Sequence, residues 1–199
     1  MSIYFYRPTI FPLFTLTKFL LTISLVFSLI RVHNVLREEI MMHICLENRT
    51  EETVKIYFEK ANTPGIKAML PQKAQTVEEA LADYKKTLLP DAASYGKTIV
   101  VNGIYIGDIW CYCINVNEEP NAMLSYCIFE EAYWSRGIAT QAVAMFLKEI
   151  HAKYRLGTIG AFTYSENSAS IRVLEKNGFA LMAEFSEDGK SSKYLQYTY

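Results

Sequence analysis

Several chemistries are missing from this chain. Its four cysteines, Cys45, Cys111, Cys113 and Cys127, lie within apolar runs and form no CxxC pair, whereas zinc ligation or a disulfide framework places cysteines in loops at ligand spacing. Buried, reduced thiols are therefore expected, which favours a cytoplasmic setting. The three histidines, His33, His43 and His151, are scattered and form no HExxH-type group, so no metal site is expected. Lys and Arg number 20 against 21 Asp and Glu. That near balance gives no electrostatic case for nucleic-acid binding. A full phosphate-loop motif, an internal repeat and a low-complexity linker are also lacking.

What is present begins with a strongly apolar segment, Ile10 to Ile30, interrupted by Pro12 and Lys18. At about 1.5 Å per residue it is long enough for a bilayer core of about 30 Å, although Lys18 within it is costly. No small-x-small cleavage site follows before Arg31, which weakens a signal-peptide reading. Three readings stay open: a membrane anchor, a dispensable extension or misassigned start, and a packed or secretory element. The chain is accordingly divided into an apolar extension, residues 1–41, and a domain, residues 42–199. Membrane contact, if the protein makes any, is expected through residues 10–30.

Within the domain, His43–Leu46 reads as a short first strand. Thr50 or Asn48 can cap a helix in which Val54, Tyr57, Phe58 and Ala61 share one face, ended by Asn62-Thr-Pro-Gly65. Thr76-Val-Glu-Glu79 is a capping box opening a second helix, with Val77, Ala80, Leu81, Tyr84 and Leu88 on its apolar stripe. Asn102-Gly103 suits a type I′ turn between the strands Lys97–Val101 and Ile104–Ile114. A second turn, Asn117–Asn121, leads into the strand Ala122–Phe129. Three antiparallel strands thus precede a helix with Ala139, Ala142, Val143, Phe146, Leu147 and Ile150 on one stripe, ended near Gly157. The strand Thr158–Tyr164 follows, implying a right-handed parallel pair. Asn167 caps a last helix stopped by Gly178, and a hairpin through Glu187–Lys190 completes the sheet. The predicted fold is α/β (α+β), a mixed and mostly antiparallel central sheet flanked by helices, with its ligand site at the parallel pair.

Ser125–Thr140, SYCIFEEAYWSRGIAT, concentrates the candidate chemistry. It reads as a strand, a short turn and a Gly-led helix start. First-turn N–H groups lack intrahelical partners and the helix dipole is positive there, so such a mouth suits an anion. Arg136 adds positive charge, and Gly137 lets a phosphate approach the backbone. One Gly is a weak signal by itself.

Two stretches, YWSRGIATQAV (Tyr133–Val143) and ENSASIRVLEKNGF (Glu166–Phe179), resemble the acetyl-CoA-binding motifs of the GNAT N-acetyltransferase superfamily, in particular its ribosomal-protein N-terminal acetyltransferase (RimJ/RimL-type) branch. The resemblance extends loosely over Met42–Tyr199. It implies that Ala122–Phe129 and Thr158–Tyr164 splay apart to admit the pantetheine arm of acetyl-CoA beside Cys127, Ile128 and Phe129. It also implies that the pyrophosphate meets Trp134, Arg136, Gly137, Ile138, Ala139 and Thr140. Trp134 stands where the family usually has Gln or Arg. Asn167 and Ser170 match cofactor-side positions, with helix capping as their structural alternative. Arg172 and Lys176 either reach the adenosine phosphates or form the solvated face of the helix.

The implied reaction is direct acetyl transfer to a primary amine. Many relatives place a Tyr acid seven residues after the Asn of the second motif, where this chain has Leu174. Ser170 is the nearest substitute acid, though a neutral hydroxyl is a weak one. Asp108 and Glu130, with Glu131 and Glu166, are base candidates by position alone. An α-amine of pKa about 7.7–8 is already roughly 10–20% neutral at pH 7, against about 0.04% for a Lys side chain, so an acceptor of the first kind has less need of a base. The expected acceptor is a protein N-terminus or a small-molecule amine. The alternatives are an aminoglycoside or polyamine acceptor and a non-catalytic acyl-CoA-binding module. Assembly is expected to be monomeric or homodimeric.

Overall fold

The computed structural model describes residues 42–70, 73–187 and 189–199. The extension of residues 1–41, and with it the expectation of membrane contact through residues 10–30, lies outside the described residues. Among the described residues no helix is long and apolar enough to cross a membrane, and no three His, Cys, Asp or Glu side chains gather as a metal site would require.

The strands are β1 (Ile44–Asn48), β2 (Ser94–Val101), β3 (Ile104–Asn115), β4 (Asn121–Ile128), β5 (Thr158–Tyr164), β6 (Ala180–Glu187) and β7 (Lys190–Thr198). The helices are α1 (Glu51–Ala61), α2 (Pro64–Met69), α3 (Val77–Lys86), α4 (Ile138–Tyr154) and α5 (Ser168–Lys176), with a short 3-10 turn at Glu131–Tyr133. One sheet runs in the order β1-β2-β3-β4-β5-β7-β6, antiparallel throughout except for β4 beside β5. The β2–β3 turn has Asn102 and Gly103 at φ 51° and 78°, the double positive φ that a type I′ turn requires.

Local chemistry explains most boundaries. The Thr50 hydroxyl accepts from Thr53 N–H while Thr53 returns the bond to Thr50 N–H, which fixes the start of α1. Where the Asn62–Gly65 run was expected only to end that helix, Pro64 occupies the first turn of α2, a position its fixed φ favours. The α3 stripe stops short of expectation, since α3 ends at Lys86 and Leu88 is 64% exposed. The end of α4 is set by Arg155 at φ 53° rather than by Gly157, whose N–H instead donates to Pro120 O. Cys111 and Cys127 are buried, as expected. Cys113 is exposed because the β3–β4 register slips between Tyr112 and Asn115, and Cys113 takes φ 51°.

Helices cover the two faces of the sheet differently. α4 presents Ala142, Val143, Phe146, Leu147 and Ile150 to β1, β3 and β4, and Phe146 and Ile150 are fully buried. Burial of this kind contributes roughly 1.5–3 kcal/mol for each large side chain. On the opposite face, Tyr57 and Ala61 of α1 pack against Cys127 and Phe129, with Trp110 and Tyr105 beside them. β3 and β4 approach closely at Gly107, where a Cβ would sit 2.1 Å from the Cys127 carbonyl oxygen.

Candidate active site

β4 and β5 pair only from Asn121 to Met123 and from Thr158 to Gly160. Beyond those residues the two strands part, while β4 stays paired with β3 as far as Ile128. Phe129 N–H donates to Ile106 O and the Cys127 carbonyl faces Gly107, so both turn their backbone toward β3. Strand alternation then directs the backbone groups of Tyr126 and Ile128 into the gap. The expected backbone donor near Cys127 or Ile128 is therefore available at Ile128 and not at Cys127. Cys127 and Phe129 instead contribute buried side chains to the α1 face.

The loop from β4 to α4 forms the mouth of this gap. The Trp134 indole N–H donates to Ile128 O at 2.7 Å, tying the loop back to the strand, while its ring is 48% exposed. Ser135 and Gly137 take φ 60° and 78°, and Gly137 is the N-cap of α4 with no side-chain cap. No atom lies within 4 Å of the position a Gly137 Cβ would occupy. The first-turn N–H groups of Ile138, Ala139 and Thr140 precede the first intrahelical bond, which Gln141 N–H makes to Gly137 O, and no side chain caps them, although the Ile138 side chain is buried. Arg136 is exposed, its guanidinium 5.8 Å from the Tyr133 ring centroid. The cradle is thus formed of N–H donors, a helix dipole and one cation.

α5 closes the other side. The Asn167 carboxamide accepts from Ser170 N–H at 3.1 Å and caps the helix. The Ser170 hydroxyl has no part in capping; it lies 2.8 Å from the Tyr126 hydroxyl, which also donates to Ser170 O at 3.2 Å. Burial pushes the Tyr126 phenol up to about 12, a rise the Ser170 hydrogen bond partly offsets. Leu174 is buried and supplies no acid. Asn177 Nδ2 donates to Thr140 O, which joins the end of α5 to the start of α4. Lys176 lines an open groove of about 490 Å³ together with Lys148, His151, Tyr197 and Tyr199. Arg172 folds back on Ser168 instead, bonding its carbonyl and hydroxyl.

The base candidates separate. Asp108 is fully buried on the α1 face; Arg49 Nε lies 3.0 Å from its Oδ2, and the Tyr105 hydroxyl donates to its Oδ1 at 2.7 Å. The Arg49 contact is an ion pair without hydrogen-bond alignment. Burial raises the Asp108 carboxyl to about 6 despite the opposing pull of Arg49 and Tyr105. Glu130 is ion-paired with Lys60 at 2.6 Å at the edge of the same face. Glu131 and Glu166 are exposed. Sequence reasoning missed Tyr126, Arg49, Tyr105 and Lys60. Tyr126 was hidden inside an apolar strand, where no sequence signal marks a phenol that reaches another element.

The model of the acetyltransferase (GNAT) domain matches residues 43–180, from the residue before β1 to the first residue of β6. No curated protein matches the chain by sequence. Among solved structures, spermidine N-acetyltransferase from Vibrio cholerae, in complex with CoA and spermine, has a TM-score of 0.70 at 16% identity over 78% of this chain and 95% of that one. The aminoglycoside acetyltransferase AAC(6')-Ib in complex with coenzyme A has a TM-score of 0.66 at 17% identity, covering 78% and 95%. RimL, a ribosomal-protein α-N-acetyltransferase in complex with coenzyme A, has a TM-score of 0.66 at 15% identity, covering 78% and 93%. At such identities the structural likeness speaks for the fold alone. With the domain model spanning both motifs and every element that builds the gap, the chain belongs to the GNAT acetyltransferase family.

Proposed function

We propose that this protein is an acetyl-CoA-dependent N-acetyltransferase acting on a protein N-terminal α-amine of the RimJ/RimL kind or on a small-molecule amine of comparable acidity. The observation that carries the reading is the open Gly137 cradle set beside the parted strands β4 and β5. Pyrophosphate oxygens accept from the N–H groups of Ile138, Ala139 and Thr140, with Arg136 opposing their charge. The pantetheine enters between β4 and β5, where Tyr126 and Ile128 offer backbone groups. Lys176, with Lys148 across the groove, suits the phosphates at the adenosine end.

The acceptor approaches from the α1 face. There the carboxylates Asp108 and Glu130 are each paired with a cation, Arg49 and Lys60. A polycationic acceptor would have to break those pairs, whereas a single amine would not. An α-amine also supplies its own neutral fraction at pH 7, which suits a site where the central carboxylate is buried and engaged. The apolar lining there, Trp110 and Phe129 among it, favours an acceptor with an apolar body.

Thermal-shift titration with acetyl-CoA, followed by thiol release against peptides with free N-termini, spermidine and an aminoglycoside, tests the reading. Stabilisation by acetyl-CoA and turnover on the peptides are expected. A shift with no turnover on any amine would identify an acyl-CoA-binding module. Turnover confined to spermidine or the aminoglycoside would overturn the acceptor assignment alone.

A further inference from the structure

An aromatic shelf lies bare beside the gap, on the same face of the sheet as α1. Cys127 packs against Tyr57 and Ala61 of α1, and strand alternation turns Met123 of β4 to that same side. Met123 Sδ and the Tyr194 ring lie over Gly160, 2.8 Å and 2.6 Å from the position a Gly160 Cβ would occupy. The missing Cβ thus lets Tyr194 of β7 lie across β5 on the α1 side. Two residues further along β5, Phe162 projects from the same face, its ring centroid 5.0 Å from that of Tyr194 and 5.7 Å from that of Phe185 on β6. α1 does not shelter these rings, since Phe162 is 55% exposed and Phe185 37%. A contiguous exposed apolar patch is the surface feature that marks a binding site.

Position and charge name the occupant. β5 leaves β4 after Gly160, so Phe162 borders the gap from which the thioester is reached. The Glu184 carboxylate is bound 2.8 Å away to Lys193, which precedes Tyr194 in β7 and so points to the opposite face. Among the described side chains of β5, β6 and β7, no carboxylate shares the shelf. Its outer rim carries a cation instead, Lys190 over the Tyr164 ring at 4.6 Å. A polycationic acceptor finds no counter-charge there, whereas an uncharged apolar body and the rings remove each other from water.

Resting on the acetyl-transfer reading above, we propose that Phe162, Tyr194 and Phe185 seat the residues directly behind the acceptor amine, and that the acceptor is a protein N-terminus whose second and third residues are apolar. From β5 across β7 to β6 is about 10 Å, two strand spacings, which an extended peptide covers with about three residues. That extent suits a peptide better than a small amine. Contacts so far from the reacting carbonyl are made in ground state and transition state alike, so they lower the acceptor KM and leave kcat little changed.

The test uses the full chain and hexapeptides with free N-termini that differ only at their second and third residues, both Phe, both Leu, both Ser or both Lys. Thiol release gives kcat and KM for each, and calorimetry gives their affinity for the CoA-loaded protein. The Phe and Leu peptides should show a KM at least about 10-fold below that of the Ser peptide, with the Lys peptide poorest. Phe162→Ala should shrink the advantage of Phe over Ser to below about threefold, and Phe185→Ala should at least halve it. Phe162→Leu should keep most of it, and the thermal shift with acetyl-CoA should persist in all three variants. Equal KM for the four peptides, preference for the Lys peptide, or an undiminished advantage in Phe162→Ala would overturn the shelf and leave acetyl transfer standing. A dimer in sedimentation that Phe162→Ala dissociates, with the peptide advantage undiminished, would give the face to a second copy and overturn the proposal. Phe-peptide binding that Phe162→Ala abolishes, with no turnover of any amine, would support the shelf and overturn the transfer reading. Neither binding nor turnover of any peptide would overturn both.

Discussion

The two faces of β4 are built in different ways. Toward α4 and α5, what a ligand would meet is largely backbone: the first-turn N–H groups after Gly137 and the strand groups of Tyr126 and Ile128. Toward α1, the polar side chains are engaged with one another, Asp108 with Arg49 and Tyr105, and Glu130 with Lys60. On the first face the helix start carries N–H groups without intrahelical acceptors, whereas on the second each carboxylate is already paired with a cation. The difference teaches that a cofactor common to a whole family can be held by chain geometry, while the acceptor side is left to side chains that each chain arranges for itself.

The strongest way to break this comparison is to fill the open face. Gly137→Asp places a side chain and a negative charge where nothing lies within 4 Å, at a φ of 78° that side chains rarely adopt. Acetyl-CoA affinity should fall at least about 100-fold by calorimetry, with the helical circular dichroism signal retained. An unchanged affinity would move the phosphate site elsewhere and remove the contrast between the faces.

The closed face is tested through pH. The Asp108 carboxyl titrates at about 6 in the folded chain against an ordinary 3.8. The folded state therefore binds this proton more tightly than the unfolded state does, so stability falls as pH rises through that window and then levels off. The loss is about 3 kcal/mol. Asp108→Asn removes that titration and leaves Arg49 without its partner. Urea unfolding at several pH values should show wild type losing about 3 kcal/mol relative to the variant between about pH 3.5 and pH 7. If that relative loss is absent and turnover drops more than about 100-fold instead, Asp108 acts on the substrate and the α1 face is not closed.

How much of this was legible in sequence follows the same division. Asn102-Gly103, Gly137 and Asn167 announce themselves because each satisfies a backbone requirement, two positive φ values, an uncrowded helix mouth and a cap, that few other residues meet. The sheet order around the parallel pair follows from such markers together with the apolar stripe of α4. Arg49 beside Asp108 was not legible, because the partners come from different parts of the chain, Arg49 from the turn between β1 and α1 and Asp108 from β3. Tyr126 escaped for a related reason: in a core strand, a phenol that reaches another helix looks the same as one that packs locally. The short helix α2 was missed because Pro64-Gly65 signals both a stop and a start.

A smaller effect is expected at the seam between the faces. Trp134→Phe keeps the ring but deletes the N–H that holds the loop to Ile128 O. The freed carbonyl faces solvent and the gap, so stability should change by less than about 1 kcal/mol. The acetyl-CoA KM should rise about two- to fivefold as the loop loses its anchor, with kcat unaffected. A large fall in kcat would show that the tether also positions the reacting carbonyl.

The smallest effect is expected at Glu130, and it separates a base from a surface ion pair. Its contact with Lys60 is short, at 2.6 Å, but both side chains are more than a third exposed, at 37% and 46%. Exposed pairs of this kind contribute about 0–1 kcal/mol, because each partner is also well solvated alone. Glu130→Gln preserves the shape and an acceptor oxygen for Lys60 while abolishing any capacity to take a proton. With an α-amine peptide as acceptor, kcat should stay within about twofold of wild type and stability within about 0.5 kcal/mol. A drop beyond about 10-fold, together with loss of the acidic limb of the pH–rate profile, would make Glu130 the general base. The α1 face would then contain a working carboxylate at its edge, and the Lys60 pair would be what the incoming amine displaces.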